Sequence, residues 1–299
     1  MGEIDFPMWP TYCEEEIQAV EKVLRSGRVN YWTGENGKKF ECEFAAKFQC
    51  EFGVALANGT VALDAALYSL DIGISDEVIV TSRTFIASAS AVVLRGAKPV
   101  FADVDLESQN ITPQSIEPLI SKNTKAIITV HLAGWPCEML EIMDLAKTHG
   151  LFVIEDCAQA HGAVIHNQPI GSWGDVSVFS FCQDKIMSTG GEGGMLLTKS
   201  RHLWEKVWSY KDHGKNFDKI SNPGTDKGHF RWLHDSFGTN FRMTELQAAI
   251  GRIQLGYLPK WLEIRKQNAE YMASCLEDVE ALRVPMPPDY VEHANYKFY

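Results

Sequence analysis

Six short apolar segments recur through the middle of the chain, and helix-forming stretches separate several of them. The candidate strands are 77–81, 98–101, 125–132, 151–155, 175–181 and 194–198. Most are near-continuous runs of apolar residues, as expected for strands that are covered on both faces. Residues 84–95 and 137–148 are the clearest helical segments between them. This alternation predicts an α/β fold, in which helices cover both faces of a mainly parallel sheet.

The chain on either side of this region adds more helices. Residues 14–26 and 40–49 carry apolar residues at helical spacing, and a helix follows the short apolar stretch at 53–57. Helical spacing returns at 243–258 and again at 259–279, which predicts two separate helices.

Residues 209–240 have a different composition, rich in glycine, charged residues, histidine and asparagine. A stretch of this length and polarity predicts a long functional loop. The last residues, 293–299, predict a strand that is just beginning. We therefore expect a large three-layer α/β/α domain over 1–255 and the start of an incomplete small C-terminal α+β domain over 256–299.

Charge and cysteine content narrow the class of protein. The chain has 28 Lys and Arg against 39 Asp and Glu, a net charge of −11, which disfavours nucleic-acid and anionic-lipid partners. No apolar run approaches the roughly 18 residues of a membrane helix, and the first residues do not resemble a signal peptide. The seven cysteines are scattered, without a C-x-x-C pair, which argues against a disulfide framework and a zinc site. These features predict a soluble cytoplasmic enzyme without a metal.

A lysine follows one candidate strand at the position where α/β sheets bind ligands. The strand ends at Phe181, Lys185 comes four residues later, and a glycine-rich stretch, GGEGG, follows at 190–194. Ligands bind beyond the carboxyl ends of parallel strands. An amine there can form a Schiff base with a carbonyl cofactor if desolvation or a neighbouring cation lowers its pKa. The alternative is an ordinary surface lysine in a loop.

A carboxylate occupies the corresponding position after another strand. Asp156 falls at the end of the apolar run 151–155, with Gln159 and His161 close behind it. A carboxylate there can pair with a protonated ring nitrogen, and in pyridoxal 5′-phosphate (PLP) that pairing keeps the ring an electron sink. The alternative is that Asp156 caps the next helix.

Two further elements suit a flat phosphorylated ligand. Gly59 and Thr60 open a helix, so their backbone N–H groups and the Thr60 hydroxyl can hold a phosphate, to which Ser180 can also donate. Phe85 can stack on a flat ring. An ordinary helix cap and a core phenylalanine are the alternatives. Taken in order, however, these parts are those that a PLP site needs.

The chain resembles the DegT/StrS-type sugar aminotransferases, which are fold-type-I PLP enzymes acting on nucleotide-linked keto-sugars. The resemblance covers nearly the whole chain. The segments that carry it are NGTVALDAAL, RTFIASA, IEDCAQAHGA, SFCQDKIMSTGGEGG and TNFRMTELQAAIGRIQL. It implies L-glutamate as amino donor and a role in making amino sugars for surface polysaccharides such as O-antigen, or for antibiotics.

The resemblance also implies roles for individual residues. Lys185 and Asp156 would be catalytic, the first joined to PLP and the second bound to its ring nitrogen. The other implied cofactor contacts are Gly59, Thr60 and Ser180 at the phosphate, Phe85 and Gln159 at the ring, and Asn240 at the phosphate of a neighbouring subunit. The role of Asn240 implies a homodimer with shared active sites. His161, Arg242 and His293 are weaker candidates for substrate contacts.

The chain departs from the family around the lysine, where Cys182, Gln183 and Asp184 replace a more usual Pro/Ala-Thr/Asn pattern. This difference points to a subgroup with a different sugar. Two other functions stay open. One, a sugar dehydratase, stays within PLP chemistry, although that branch carries histidine in place of the lysine. The other comes from a different class, a PLP-binding sensor or regulator without turnover. A dinucleotide-dependent oxidoreductase would need a G-x-G-x-x-G after the first strand, which the chain lacks.

Overall fold

A seven-stranded sheet forms the centre of the protein, whose computed structural model describes residues 8–221 and 234–299. Its strands are β1 (Phe52–Leu56), β2 (Glu77–Thr81), β3 (Lys98–Ala102), β4 (Thr124–Val130), β5 (Phe152–Asp156), β8 (Val176–Ser180) and β9 (Gly194–Thr198). The order is β1-β9-β8-β5-β4-β2-β3. The last five run parallel, whereas β9 is antiparallel to both neighbours. The predicted mainly parallel sheet is confirmed.

Helices cover both faces of this sheet. They are α1 (Glu14–Ser26), α2 (Asn36–Lys47), α3 (Gly59–Ser69), α4 (Ala87–Leu94), α5 (Pro113–Ile116), α6 (Met139–His149), α7 (Arg201–Tyr210), α8 (Phe217–Ser221) and α9 (Glu245–Leu276). Successive strand residues face opposite sides, so Ile127 joins the core under α2, α6 and α9, and Ile128 joins the core under α3, α4 and α7. The predicted three-layer α/β/α arrangement is therefore present.

Aromatic side chains fasten α2 to the sheet. Phe40, Phe44 and Phe48 are spaced at four-residue intervals, which places them on one face of the helix. They meet Phe179 and Phe181 at the end of β8, with ring centroids of Phe44 5.0 and 5.4 Å from those two. All five side chains are buried. This packed aromatic cluster therefore supports the end of β8, the strand that precedes Lys185.

A small second sheet joins residues 291–292 to the segment that follows β5. It consists of β6 (Val164–Ile165), β7 (Gln168–Pro169) and β10 (Val291–Glu292), in the order β10-β6-β7, with both pairings antiparallel. Within the described part of the chain, no helix combines the length and hydropathy that a bilayer crossing requires.

Two predictions about the C-terminal region are wrong. The two helices predicted over 243–258 and 259–279 are one, because α9 continues through Pro259. Proline removes one backbone hydrogen bond, but Leu258 before it and Leu262 after it both pack on the core and stabilise the continuous helix. Residues 293–299 are also not a strand, since β10 ends at Glu292. The backbone N–H groups of the residues after Glu292 donate to an irregular turn and not to a strand.

The remaining predictions concern the limits of one loop and of the two domains. The predicted loop 209–240 contains the end of α7 and the short helix α8, and its stretch 222–233 lies outside the described residues. The predicted domain limit between residues 255 and 256 falls inside α9. The division into two domains stays a prediction.

We expect Phe44→Ala to destabilise the protein by about 3–5 kcal/mol, because it empties the centre of the aromatic cluster. Phe101→Ala is the control: this side chain is 55% exposed on the edge strand β3, so its loss is expected to cost less than about 1 kcal/mol. Urea unfolding of both variants measures the difference, and equal losses would show that the cluster is not the core that we describe.

Candidate active site

The carboxyl ends of β1, β8 and β5 meet the amino end of β9 at one edge of the sheet. Gly194 opens the antiparallel strand β9 and pairs with Leu56 at the end of β1 on one side and with Ser180 at the end of β8 on the other. Strand β5 lies next to β8 and ends at Asp156. Residues far apart in sequence are therefore collected at this edge, where α/β enzymes bind their ligands.

A cradle for an anion lies at the start of α3. Asn58 caps this helix by accepting a hydrogen bond from Val61 N at 3.0 Å, which leaves the N–H groups of Gly59 and Thr60 at the open end. A Cβ added to Gly59 would lie 2.7 Å from Ser180 Cβ, so only glycine lets the helix approach β8 this closely. The structure brings Gly59, Thr60 and Ser180 together as predicted, with a geometry suited to a phosphate.

Asp156 is a buried carboxylate, with 6% of its surface exposed. Its Oδ2 accepts a hydrogen bond from Ser88 Oγ at 2.8 Å, and Oδ1 accepts one from Ala158 N at 3.2 Å. Burial raises the pKa of Asp156 above its ordinary value, although these two hydrogen bonds and the charge of Lys185 oppose the rise. A carboxylate with so little access to water is stabilised by a cationic partner, such as a protonated ring nitrogen.

Two further predicted residues lie on loops at this edge. Gln159 follows β5, and its Oε1 accepts a hydrogen bond from Ala133 N at 2.8 Å, so the amide –NH₂ is the group left to donate to a ligand. Phe85 lies in the turn between β2 and α4 with 69% of its surface exposed. An exposed phenyl ring in such a turn is free to cover the face of a flat ligand.

Lys185 lies in the loop after β8, with 14% of its side chain exposed. Its Nζ is 3.3 Å from Asp184 Oδ2 and 3.4 Å from the hydroxyl of Tyr296. The loop is fixed by Trp9, whose indole N–H donates to the carbonyl oxygen of Lys185 at 3.2 Å. The amine is thus held near the ligand edge, partly shielded from water.

Sequence reasoning missed the supporting residues of this site. Ser88 holds Asp156, and Thr84 is hydrogen-bonded to Ser88 at 2.9 Å. Tyr296 reaches Lys185 from 111 residues away. The segment RTFIASA, which the resemblance included, contains Thr84 and Ser88, but only the tertiary structure shows that Ser88 bonds to the carboxylate and Thr84 to Ser88.

Asn240 and Arg242 belong to a second polar cluster beside the end of β1, where Arg242 forms an isolated bridge with Leu56. Asn240 is exposed and forms an isolated bridge with Asp212. The guanidinium of Arg242 is 2.7 Å from the buried carboxylate of Asp212, which Lys215 also contacts at 2.8 Å. Arg242 is therefore already paired within its own subunit. The roles predicted for Asn240 at a neighbouring phosphate and for Arg242 at a substrate stay predictions.

The two histidines predicted to contact substrate occupy buried or half-buried positions. His161 packs against Phe179 and Phe181, and burial, helped by the charge of Lys185, lowers its pKa to about 3. His293 lies edge-on to Trp135, and burial lowers its pKa to about 4. Both rings are neutral at pH 7. His161 supports the end of β8 from beneath, a position that does not favour direct contact with a substrate.

His293 also lines a cleft of about 660 Å³ between α9 and the C-terminal segment. The charged residues around this cleft are Glu107, Glu263, Lys266, Glu270, Asp289, Glu292 and Lys297. Carboxylates outnumber the lysines, so the cleft does not favour a diphosphate. We therefore expect the anionic part of any ligand at the cradle and not here.

The structure also brings together His131, Glu155 and Cys157, three residue types that can bind metals. The carboxylate of Glu155, however, accepts hydrogen bonds from the backbone N–H groups of Gly171, Trp173 and Gly174 at 2.8–2.9 Å. Its lone pairs are used to hold this turn, so we assign the cluster a structural role.

The three-layer fold, with its ligand edge at the carboxyl ends of the strands, is that of the fold-type-I PLP-dependent aminotransferases. Residues 10–299 match the DegT/DnrJ/EryC1/StrS aminotransferase family, and the chain belongs to it. The chain is 39% identical over 288 residues to UDP-N-acetyl-3-dehydro-α-D-glucosamine 3-aminotransferase of Acidithiobacillus ferrooxidans. That match covers 95% of this chain and 73% of the relative.

Solved structures agree with this membership. An aminotransferase from Psychrobacter cryohalolentis superposes with a TM-score of 0.95 and 51% identity, over 98% of this chain and 76% of that one. DesV from S. venezuelae, solved with a ketimine intermediate, gives a TM-score of 0.86 at 35% identity, over 95% of this chain and 72% of that one. The cofactor is therefore PLP, and the buried Asp156 and the Gly59 cradle fit its ring nitrogen and its phosphate.

We expect Asp156→Asn to stabilise the cofactor-free protein at pH 8. Because burial raises the pKa of this carboxyl, its ionisation favours the unfolded state as pH rises from the ordinary value through the raised one. A neutral amide removes this penalty, so the urea midpoint of the variant should exceed that of the wild type at pH 8. The advantage should shrink near pH 4, and a constant difference across pH would contradict our account.

Proposed function

We propose that the protein transfers an amino group from L-glutamate to a nucleotide-linked keto-sugar, with PLP held on Lys185. The observation that carries this proposal is that the buried Asp156 and the Gly59–Ser180 cradle share one edge of the sheet, and that Lys185 is close enough for its charge to oppose the rise in the pKa of Asp156. The sugar nucleotide is inferred from the relatives, one of which is named for a UDP-linked amino sugar. The cytoplasm is the compartment that we predict.

Each proposed residue has a distinct task in this reaction. When bound, PLP supplies an aldehyde carbon for the lysine and a ring that delocalises the electron pair of the reacting carbon. Asp156 keeps a proton on the ring nitrogen. Lys185 Nζ would take the proton from the substrate carbon and deliver it again, as general base and then as general acid.

The remaining residues fix the position of the cofactor. The N–H groups of Gly59 and Thr60 and the hydroxyl of Ser180 hold its phosphate at the positive end of α3. Gln159 would donate its amide N–H to the ring oxygen, and Phe85 would stack on the ring. Because glutamate and the sugar use one site in turn, the kinetics should be of the ping-pong type.

A homodimer completes the proposal. Phe85 and Ile86 are exposed just before α4, beside the ligand edge, and Val93 and Leu94 are exposed at the other end of this helix, so α4 carries an apolar surface that begins at the ligand edge. Such surfaces commonly mark protein interfaces. A second subunit seated there would bring its Asn240 towards the phosphate cradle of the first.

The reaction is tested by incubating the protein with PLP, L-glutamate and a panel of nucleotide-linked keto-sugars. We expect an amino sugar and 2-oxoglutarate in equal amounts by mass spectrometry. Lys185→Ala should lower the rate by roughly 100-fold or more. After borohydride reduction, the added mass should lie on the peptide that contains Lys185.

The control for this test is Lys199→Ala, which removes the next lysine along the chain and should leave both the label and the turnover in place. A deoxy-sugar product would instead indicate a dehydratase. Reaction with glutamate alone, without turnover of any sugar, would favour a sensor.

Shared sites are tested by refolding a mixture of Lys185→Ala and Asn240→Ala. We expect each variant to be inactive alone, Asn240→Ala because its cofactor is poorly held. In a mixed dimer, one site has both defects and the other has neither, so random pairing should restore about a quarter of the wild-type activity. Activity no higher than the mean of the two separate variants would rule out a contribution of Asn240 across the interface.

A further inference from the structure

Asn240 belongs to a short two-stranded ribbon beside the ligand edge. Residues 211–213 and 239–242 form this ribbon, joined in antiparallel fashion by two backbone hydrogen bonds of 2.9 and 3.0 Å. We call these residues the Asn240 ribbon. Phe241 O also accepts a hydrogen bond from Ala57 N at 2.9 Å, which ties the ribbon to the end of β1. The ribbon is therefore fixed to the strand that leads into the phosphate cradle.

Three polar side chains share one face of the Asn240 ribbon. Asp212 and Asn240 are directly opposite each other in an isolated bridge, and opposed residues of antiparallel strands point to the same side. Arg242 is two residues beyond Asn240, so it points to that side as well. Its Nη1 lies 2.7 Å from Asp212 Oδ1, as this arrangement requires. The ion pair therefore joins the two strands diagonally, directly beside Asn240.

The carboxylate of Asp212 is costly to the fold, because its side chain is 0% exposed. Lys215 Nζ and Arg242 Nη1 both contact Oδ1, whereas Oδ2 is buried and accepts no hydrogen bond from the described residues. Apolar side chains of similar size often stabilise a core as well as a buried ion pair does, and the best-attested benefit of such a pair is a fixed register. Asp212 is thus better suited to fix the ribbon than to stabilise the protein.

The register of the ribbon decides where Asn240 points. Successive strand residues face opposite sides, so a slip of one residue would turn Asn240 inwards and Phe241 outwards. Phe241 now packs against the core beside Tyr210, with the two ring centroids 5.8 Å apart, and Asn240 is exposed. Only two backbone hydrogen bonds join the strands of this ribbon. The ion pair from Asp212 to Arg242 adds a contact that a slipped register would lose.

We propose that Asp212 is a positioning residue, which acts through Arg242 to hold Asn240 in the direction from which it reaches the cofactor phosphate of the partner subunit. The proposal rests on the proposed function, because it assumes that the two subunits share their sites. Asp212 itself would touch neither cofactor nor substrate. Its loss should therefore weaken the hold on PLP without removing a group that takes part in the reaction.

The first test measures the dissociation constant of PLP for the full chain, from the absorbance of the bound cofactor. Asp212→Asn should raise this constant about tenfold or more, the loss expected when one hydrogen bond to a charged group is missing. Asn240→Ala should raise it by a similar factor. The double variant should bind PLP no more weakly than Asn240→Ala alone, whereas a merely structural role of Asp212 would add to that effect.

Asp175→Asn is the matched control for the loss of a shielded carboxylate. Asp175 is half-buried and its Oδ2 accepts a hydrogen bond from Val153 N at 2.8 Å, but it precedes β8 and so lies at the opposite edge of the sheet. This variant should leave the PLP dissociation constant unchanged. Arg242→Gln serves if Asp212→Asn fails to fold, because Lys215 still neutralises the carboxylate, and it should weaken PLP binding by a similar factor.

Hydrogen exchange in the cofactor-free protein reports on the ribbon itself. In Asp212→Asn, the amide of Phe241 and its neighbours in the ribbon should exchange faster, because the register is no longer fixed. Asp175→Asn should leave their exchange as slow as in the wild type. Unchanged exchange in Asp212→Asn, or an unchanged dissociation constant for PLP, overturns the proposal.

Refolded mixtures with Lys185→Ala separate this proposal from the shared site on which it rests. Because Asp212 acts on the partner's cofactor, the mixture of Asp212→Asn with Lys185→Ala should recover about a quarter of the wild-type activity, as the mixture with Asn240→Ala does. Recovery with Asn240→Ala but not with Asp212→Asn would reject the role of Asp212 and keep the shared site. Recovery with neither variant would reject the shared site itself, and this proposal with it.

Discussion

The burial of one negative charge, at Asp156, is the constraint on which the site depends. Removing a carboxylate from water is costly, and the fold offsets part of the cost with hydrogen bonds from Ser88 and Ala158. These bonds leave the charge available for a cationic ring. If Asp156 holds the ring nitrogen as we propose, this unfavourable group becomes favourable when PLP is bound, and cofactor binding is coupled to stability.

Burial also affects the charges of the groups around Lys185. Asp156 and Asp184 are both negative, whereas His161 beneath them is kept neutral by burial. A protonated histidine at that depth would repel both the lysine and the cofactor ring. In the proposed site, Asp156 is thus the carboxylate placed for the ring nitrogen, and Asp184 is the carboxylate beside the amine of Lys185.

The C-terminal part of the chain contributes more to the site than its small sheet suggests. The long helix α9 caps the N-terminus of α2 through Glu245, whose carboxylate accepts from Asn36 N at 2.6 Å and Gly37 N at 2.9 Å. It also packs its later turns on the core at Leu258 and Leu262. Beyond it, the segment with Tyr296 docks on the turn at Ala133, so the end of the described chain closes one side of the ligand edge.

The sequence by itself determined the sheet, its flanking helices and the polar residues at its edge. Strand and helix periodicity are local properties, and a strand-end Asp156 or a helix-opening Gly59 is visible as soon as the element is recognised. Ser88, 68 residues from its carboxylate, and Tyr296, 111 residues from its lysine, were decided only by the tertiary structure. The same is true of the continuous α9, where packing on both sides of Pro259 outweighs the lost hydrogen bond. Contacts between distant residues depend on how elements pack, and no local pattern records that packing.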